Sequence, residues 1–160
     1  MRIRFWLAVL YVAVIGLFSN IVALFIKRER LNEDAFPFRL YRWEKNGKIY
    51  DKLGIRHWKG RLPDVSRVFK PLMRKEVTVT TTSRDLFALV KECCVAELVH
   101  DGLILLSLAV LWICPHTAGV ILYLLCVLIH LPFILIQRYN RPLLRATAER
   151  MVRREARARS

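Results

Sequence analysis

The chain predicts an all-α membrane protein: an N-terminal transmembrane helix, a basic amphipathic interfacial segment and a C-terminal transmembrane helical hairpin. Three observations predict it. The 160 residues are 55% hydrophobic yet carry a net charge of +14. The apolar residues lie in long uncharged runs, with the charges between and after them. The short turn between the last two runs carries no Lys or Arg. A soluble basic domain mixes charged and apolar residues. A bilayer segregates them, because a Lys or Arg at its centre costs roughly 2.5–3.5 kcal/mol on insertion scales. At this length a single membrane domain spanning 1–160 is expected.

Residues 5–26 form the first uncharged run, with Ser19 and Asn20 as its strongly polar members. As a helix it is roughly 33 Å long, enough to cross a hydrocarbon core of about 30 Å. Arg2 and Arg4 precede it and Lys27, Arg28 and Arg30 follow it. A cleaved signal peptide is the rival reading, since the leading residues are basic. The run is long for that role, and no small-x-small cleavage site is evident.

Residues 27–82 read as a basic interfacial segment. It is dense in aromatic and basic residues, among them Phe36, Phe38, Tyr41, Trp43, Tyr50 and Trp58. Asn46-Gly47 signals a turn, and Pro63 and Pro71 break any long helix. Val77 to Thr82 is β-branched and reads as a short strand. Thr82 with Asp85 approximates a capping box and opens a helix over 83–114, whose apolar face includes Leu86, Leu89, Val90 and Cys93. Pro115-His116-Thr117 makes a turn. Residues 118–136 form a second long uncharged run, and 137–160 is a basic tail. The distribution of Lys and Arg places the middle segment and the tail in the cytoplasm and the amino terminus outside, in a multi-pass cell-membrane protein.

The basic excess attracts anionic membrane lipids. A nucleic-acid partner is not expected, because no nucleic-acid motif or zinc spacing is present. Cys93, Cys94, Cys114 and Cys126 have no metal-site spacing and read as buried apolar thiols. No metal site is expected.

Two polar clusters converge if the hairpin forms. Glu97, His100 and Asp101 enter the second span, with Glu97 on the face of the other two. Gln137, Arg138, Tyr139, Asn140 and Arg141 leave the third span. His130 lies seven residues before Gln137, on the same face and roughly 10 Å deeper. Ionisable groups entering a membrane are costly and mark function. A carboxylate beside His100 fixes its tautomer and strengthens it as a base. The arginines and Asn140 suit an oxyanion or phosphate. The structural alternative stays open: Glu97 and Asp101 pair with Arg138 or Arg141 and lock the hairpin, and His130 is a packing hydrogen-bonder. In the middle segment, Trp43, Glu44, Lys45, Trp58 and Lys59 read either as an interfacial element with tryptophans at headgroup level or as a lid over a lipid substrate.

The segments WEKNGKIYDKLGIRHWKGRLPD, AELVH and QRYNRP, together with their hydrophobic spacing, resemble the glycosyl-4,4′-diaponeurosporenoate acyltransferase family over roughly residues 40 to 145. Glu44, Gly47, Trp58, Lys59, Asp64, Glu97, His100, Gln137, Arg138, Asn140, Arg141 and Pro142 match shared positions; Asp101 stands where an aromatic residue is expected. The resemblance implies an O-acyltransferase acting on the sugar hydroxyl of a glycosylated carotenoid or related glycolipid. It implies acyl-CoA or acyl-carrier protein as donor and no resident cofactor. On that reading His100, oriented by Glu97, is the base. Asn140 with Arg138 or Arg141 steadies the oxyanion. Glu44, Lys45, Trp43, Trp58, Lys59, Gln137, Tyr139 and His130 contact substrate. A non-catalytic membrane scaffold or lipid-binding protein is the alternative.

Overall fold

The computed structural model describes residues 2–61 and 82–159, and every element among them is helical. Six α-helices occur among the described residues: α1 Arg2–Phe25, α2 Ile49–Lys52, α3 Ile55–Trp58, α4 Ser83–Ser107, α5 Val110–Ile113 and α6 Thr117–Arg159. Short 3-10 turns cover Arg28–Arg30, Arg42–Gly47 and Lys59–Arg61. Three stretches are long and apolar enough to cross a membrane: Arg2–Phe25, Ser83–Ile113 and Thr117–Arg159. The strand expected near Val77 and the matched Asp64 lie outside the described residues, Thr82 excepted. Two compact units are formed, one from Met1–Arg30 and Val95–Ile134, the other from Leu31–Cys94 and Leu135–Ser160.

In the first unit the hairpin folds back antiparallel, with His100 against His130. Ala8, Val110 and Cys114 form its buried centre, joined by Phe5, Tyr11, Val12, Ala118 and Leu122. The small Ala8 side chain lets α1 approach closely, the usual device where lipid supplies no hydrophobic drive. The single helix expected over 83–114 is interrupted at Leu108 and Ala109. Their N–H groups bond Leu105 O at 3.2 Å and Leu106 O at 3.1 Å, a 3-10 pattern. Ser107 Oγ donates back to Ile104 O at 2.7 Å, and Tyr11 Oη donates to Leu106 O at 3.0 Å. Side-chain donors of this kind compete with the helical ladder and satisfy carbonyls that hydrocarbon leaves dry. At the other end of α1, Arg28 donates to Ala23 O at 2.8 Å and to Ile26 O at 2.7 Å. A cation there satisfies carbonyls that the helix end orphans.

In the second unit α4 begins on the expected cap. Thr82 N–H donates to Asp85 Oδ2 at 3.1 Å, and Asp85 N–H donates to Thr82 Oγ1 at 3.2 Å. Leu86, Val90, Cys93 and Cys94 are buried at helical spacing. Tyr50, Ile55 and Tyr139 form a core with Ile49, Trp58, Leu135 and Ile136 against it. Lys91 pairs with Glu33 and donates to Leu31 O at 2.8 Å, and Arg145 pairs with Asp34 and Glu149. The third span and the basic tail are one helix: α6 is continuous for 43 residues through Pro132 and Pro142. The tail is rich in Leu, Ala, Arg and Glu, all strong helix formers, and continues what the span begins.

Candidate functional site

Each unit holds one polar cluster built from the residues the sequence singles out.

In the first unit, His100 on α4 and His130 on α6 meet with Nδ1 3.1 Å from Nδ1. Two Nδ1 atoms at this distance share one proton, so one ring donates and the other accepts. The His100 ring also stacks on Phe133, 4.7 Å between centroids and 11° from parallel. The two contacts fix the plane of the imidazole. Glu97, one turn before His100, is fully buried. Among the described residues no buried side-chain polar atom lacks a hydrogen-bond partner.

In the second unit, Glu44 is fully buried and receives four donors. Arg138 Nε donates to its Oε1 at 2.7 Å and Nη2 to Oε2 at 2.9 Å, a bidentate fork. The Tyr41 N–H donates to Oε2 at 2.6 Å, and the Tyr50 hydroxyl donates to Oε1. Burial pushes the Glu44 carboxyl up, but the donors from Arg138, Tyr50 and Tyr41 together hold it below the usual carboxylate range. Burial and the adjacent carboxylate push the Tyr50 phenol up to about 12. The remaining Arg138 donors reach Pro37 O at 3.4 Å and Arg39 O at 3.2 Å.

Arg141 is also buried, donating to Phe38 O and lying 3.9 Å from Cys94 Sγ. Lys59 Nζ donates to Asn140 Oδ1 at 2.8 Å and sits 4.9 Å from the centroid of the Tyr139 ring. Burial is the main cause of a lowered Lys59 pKa. The Trp58 indole N–H donates to Leu53 O at 3.0 Å. Trp43 and Lys45 are exposed, and Gln137 is half-buried on α6.

The segment reaches these contacts through a tight turn. Lys45, Asn46 and Gly47 all have left-handed backbone, with φ of 48°, 55° and 85°. Asn and Gly tolerate this region and Lys does so only at a cost. A Cβ on Gly47 would lie 2.9 Å from Pro142 Cγ. Pro142 cannot bond the Arg138 carbonyl one turn back, and the Gly47 backbone packs over that stretch of α6.

Sequence reasoning missed Tyr50 and Tyr41 as partners of Glu44 and the Phe38 carbonyl as partner of Arg141. Only the three-residue spacing of Tyr41 and Glu44 signalled any of this, as a helix-start pattern with an unusual first residue.

The fold and the two clusters define a small helical protein with three bilayer-length helices, an imidazole pair between two of them and a clamped basic segment. Its sequence matches the model of the glycosyl-4,4′-diaponeurosporenoate acyltransferase family over residues 34–150. It is 32% identical over 124 residues to the glycosyl-4,4′-diaponeurosporenoate acyltransferase of Staphylococcus haemolyticus (strain JCSC1435), covering 75% of this chain and 70% of that protein. The chain belongs to this acyltransferase family. No solved structure matches it.

Proposed function

We propose that the chain transfers a fatty acyl group from a thioester donor to a hydroxyl of a glycosylated carotenoid or related glycolipid, at the cytoplasmic side of the cell membrane. The contact between His100 and His130 is the observation that supports a catalytic reading. If His100 donates its Nδ1 proton to His130 Nδ1, its Nε2 keeps a lone pair and serves as general base. His130 thus takes the orienting place expected of Glu97, which is buried one turn earlier on the same helix.

In the reaction the sugar O–H proton passes to His100 Nε2 as the oxygen attacks the thioester carbonyl carbon. The tetrahedral oxyanion collapses, the C–S bond breaks, and the leaving thiolate takes the proton from His100. Arg138 and Arg141 contribute by holding the basic segment through Glu44 and the Phe38 carbonyl. Asn140 acts with Lys59. Phosphates of an acyl-CoA or acyl-carrier donor meet the lysines and arginines of residues 27–61.

Membranes containing this protein alone, given labelled acyl donor and glycosylated carotenoid, should form ester. His100→Ala should lower it by at least about 10²-fold. Full transfer by a folded His100→Ala protein rejects His100 as base, and absence of ester with the native chain rejects the activity.

A further inference from the structure

Lys59 stands out among the charged groups of the second unit. Its ammonium is half-buried, and its partners are the neutral Asn140 amide at 2.8 Å and the face of Tyr139. Among the described residues no carboxylate pairs with it. The Cys93 thiol lies near enough to favour the charged form, and Arg56, of the same sign, opposes it. Asp51 faces Tyr139 instead. Withdrawing an ammonium from water without an anion is unfavourable, and a second cation beside it adds to the cost. Glu44, Glu33 and Asp34 in the same unit all have cationic partners. One hydrogen bond to Asn140 leaves two of the three Nζ protons for an incoming group. Asn140 and Tyr139 are carried on α6, so the ammonium is held by a rigid element before any ligand arrives.

We propose that Lys59, held by Asn140 and Tyr139 and backed by Arg56, binds the phosphate group of a phosphorylated ligand. That phosphate belongs either to the acyl donor, a choice that rests on the acyl-transfer reading, or to a lipid headgroup. The anion replaces the missing carboxylate and relieves the repulsion between the two cations. Asn140 is then a positioning residue, setting where the ammonium points.

The full-length protein in nanodiscs tests this through the rate at which a lysine-selective reagent modifies Lys59, followed by mass spectrometry. Coenzyme A or inorganic pyrophosphate, added to discs of phosphatidylcholine alone, should slow the modification about tenfold if the phosphate is the donor's. Discs containing phosphatidylglycerol should slow it without any addition if the phosphate is a headgroup's. Either result supports the subsite. An unchanged rate under all of these conditions overturns it.

Asn140→Asp places a carboxylate where the amide oxygen lies 2.8 Å from Nζ, and should remove the protection while the protein stays folded. Lys59→Arg should keep coenzyme A binding within a few-fold and Lys59→Gln should weaken it about tenfold by equilibrium dialysis. Where coenzyme A gives the protection, equal affinity across these variants also overturns the proposal. Protection without ester formation would sink the acyl-transfer reading alone; ester formation without protection would sink the subsite alone.

Discussion

The two units solve the problem of polar groups beside lipid in different ways. In the first, two imidazole rings share one proton, with Phe133 against one of them. Either ring exchanged for an apolar side chain leaves the neighbouring helices packed through Ala8, Val110 and Cys114. In the second, a buried carboxylate is enclosed by a bidentate guanidinium, a phenol and a backbone N–H. Removal of either charged member there takes away the other's bidentate partner. On the proposed function, the difference separates chemistry from architecture. The imidazole pair should tolerate change without unfolding the protein, whereas the Glu44 cluster holds residues distant in sequence in one arrangement.

The sharpest division comes from His100→Ala. Ester formation should fall by about 10²- to 10⁴-fold, the usual contribution of a positioned base. Thermal unfolding in detergent, followed by circular dichroism, should shift little. A large loss of stability with activity retained would invert the comparison. Glu44→Ala should do the reverse, destabilising by about 3–5 kcal/mol because the Arg138 guanidinium loses its bidentate carboxylate. The same melting experiment reads it, and an unchanged midpoint would show that the cluster carries no load. Gly47→Ala should cost about 1–3 kcal/mol, since the residue needs a positive φ and has Pro142 against it. Thr82→Ala should cost only about 1 kcal/mol, the value of a helix cap.

Titration sharpens the comparison further. The depressed Glu44 pKa adds stability above the ordinary carboxylate value, and that stability is lost as pH falls through the lower folded value. The raised Tyr50 pKa adds stability below about pH 10, which is lost as pH climbs towards about 12. Melting midpoints of the native chain should therefore fall at both ends, and Glu44→Gln should flatten the acid limb. An acid limb that is unchanged in Glu44→Gln would assign it to other carboxylates.

The spans were legible because bilayer burial acts on every residue of a run, and a stretch of charge-free sequence records it directly. The Thr82–Asp85 cap was legible because both partners lie within one turn. The Asn46-Gly47 turn was read too, but not the extension of left-handed backbone to Lys45, whose side chain gives no local reason for it. The interruption at Leu108 was hidden because its cause is spread between Ser107 and a tyrosine on another helix. Glu44 and Arg138 were each singled out as candidates, yet their pairing was not foreseen. They lie 94 residues apart, and no periodicity links them. The sequence placed His130 near the polar end of the hairpin, and only the packed helices show that its partner is His100.

The phenol of Tyr11 has a consequence for α1 as a whole. A purely greasy rod can slide or spin against its neighbours at little cost, but one tethered at a single oxygen cannot. A shift of one residue turns an α-helix by about 100° and carries the hydroxyl away from the Leu106 carbonyl. An unrelated hydrophobic sequence of equal length grafted in place of α1 would still cross the bilayer, yet would leave that carbonyl with the Ala109 N–H alone and the rod without a defined register.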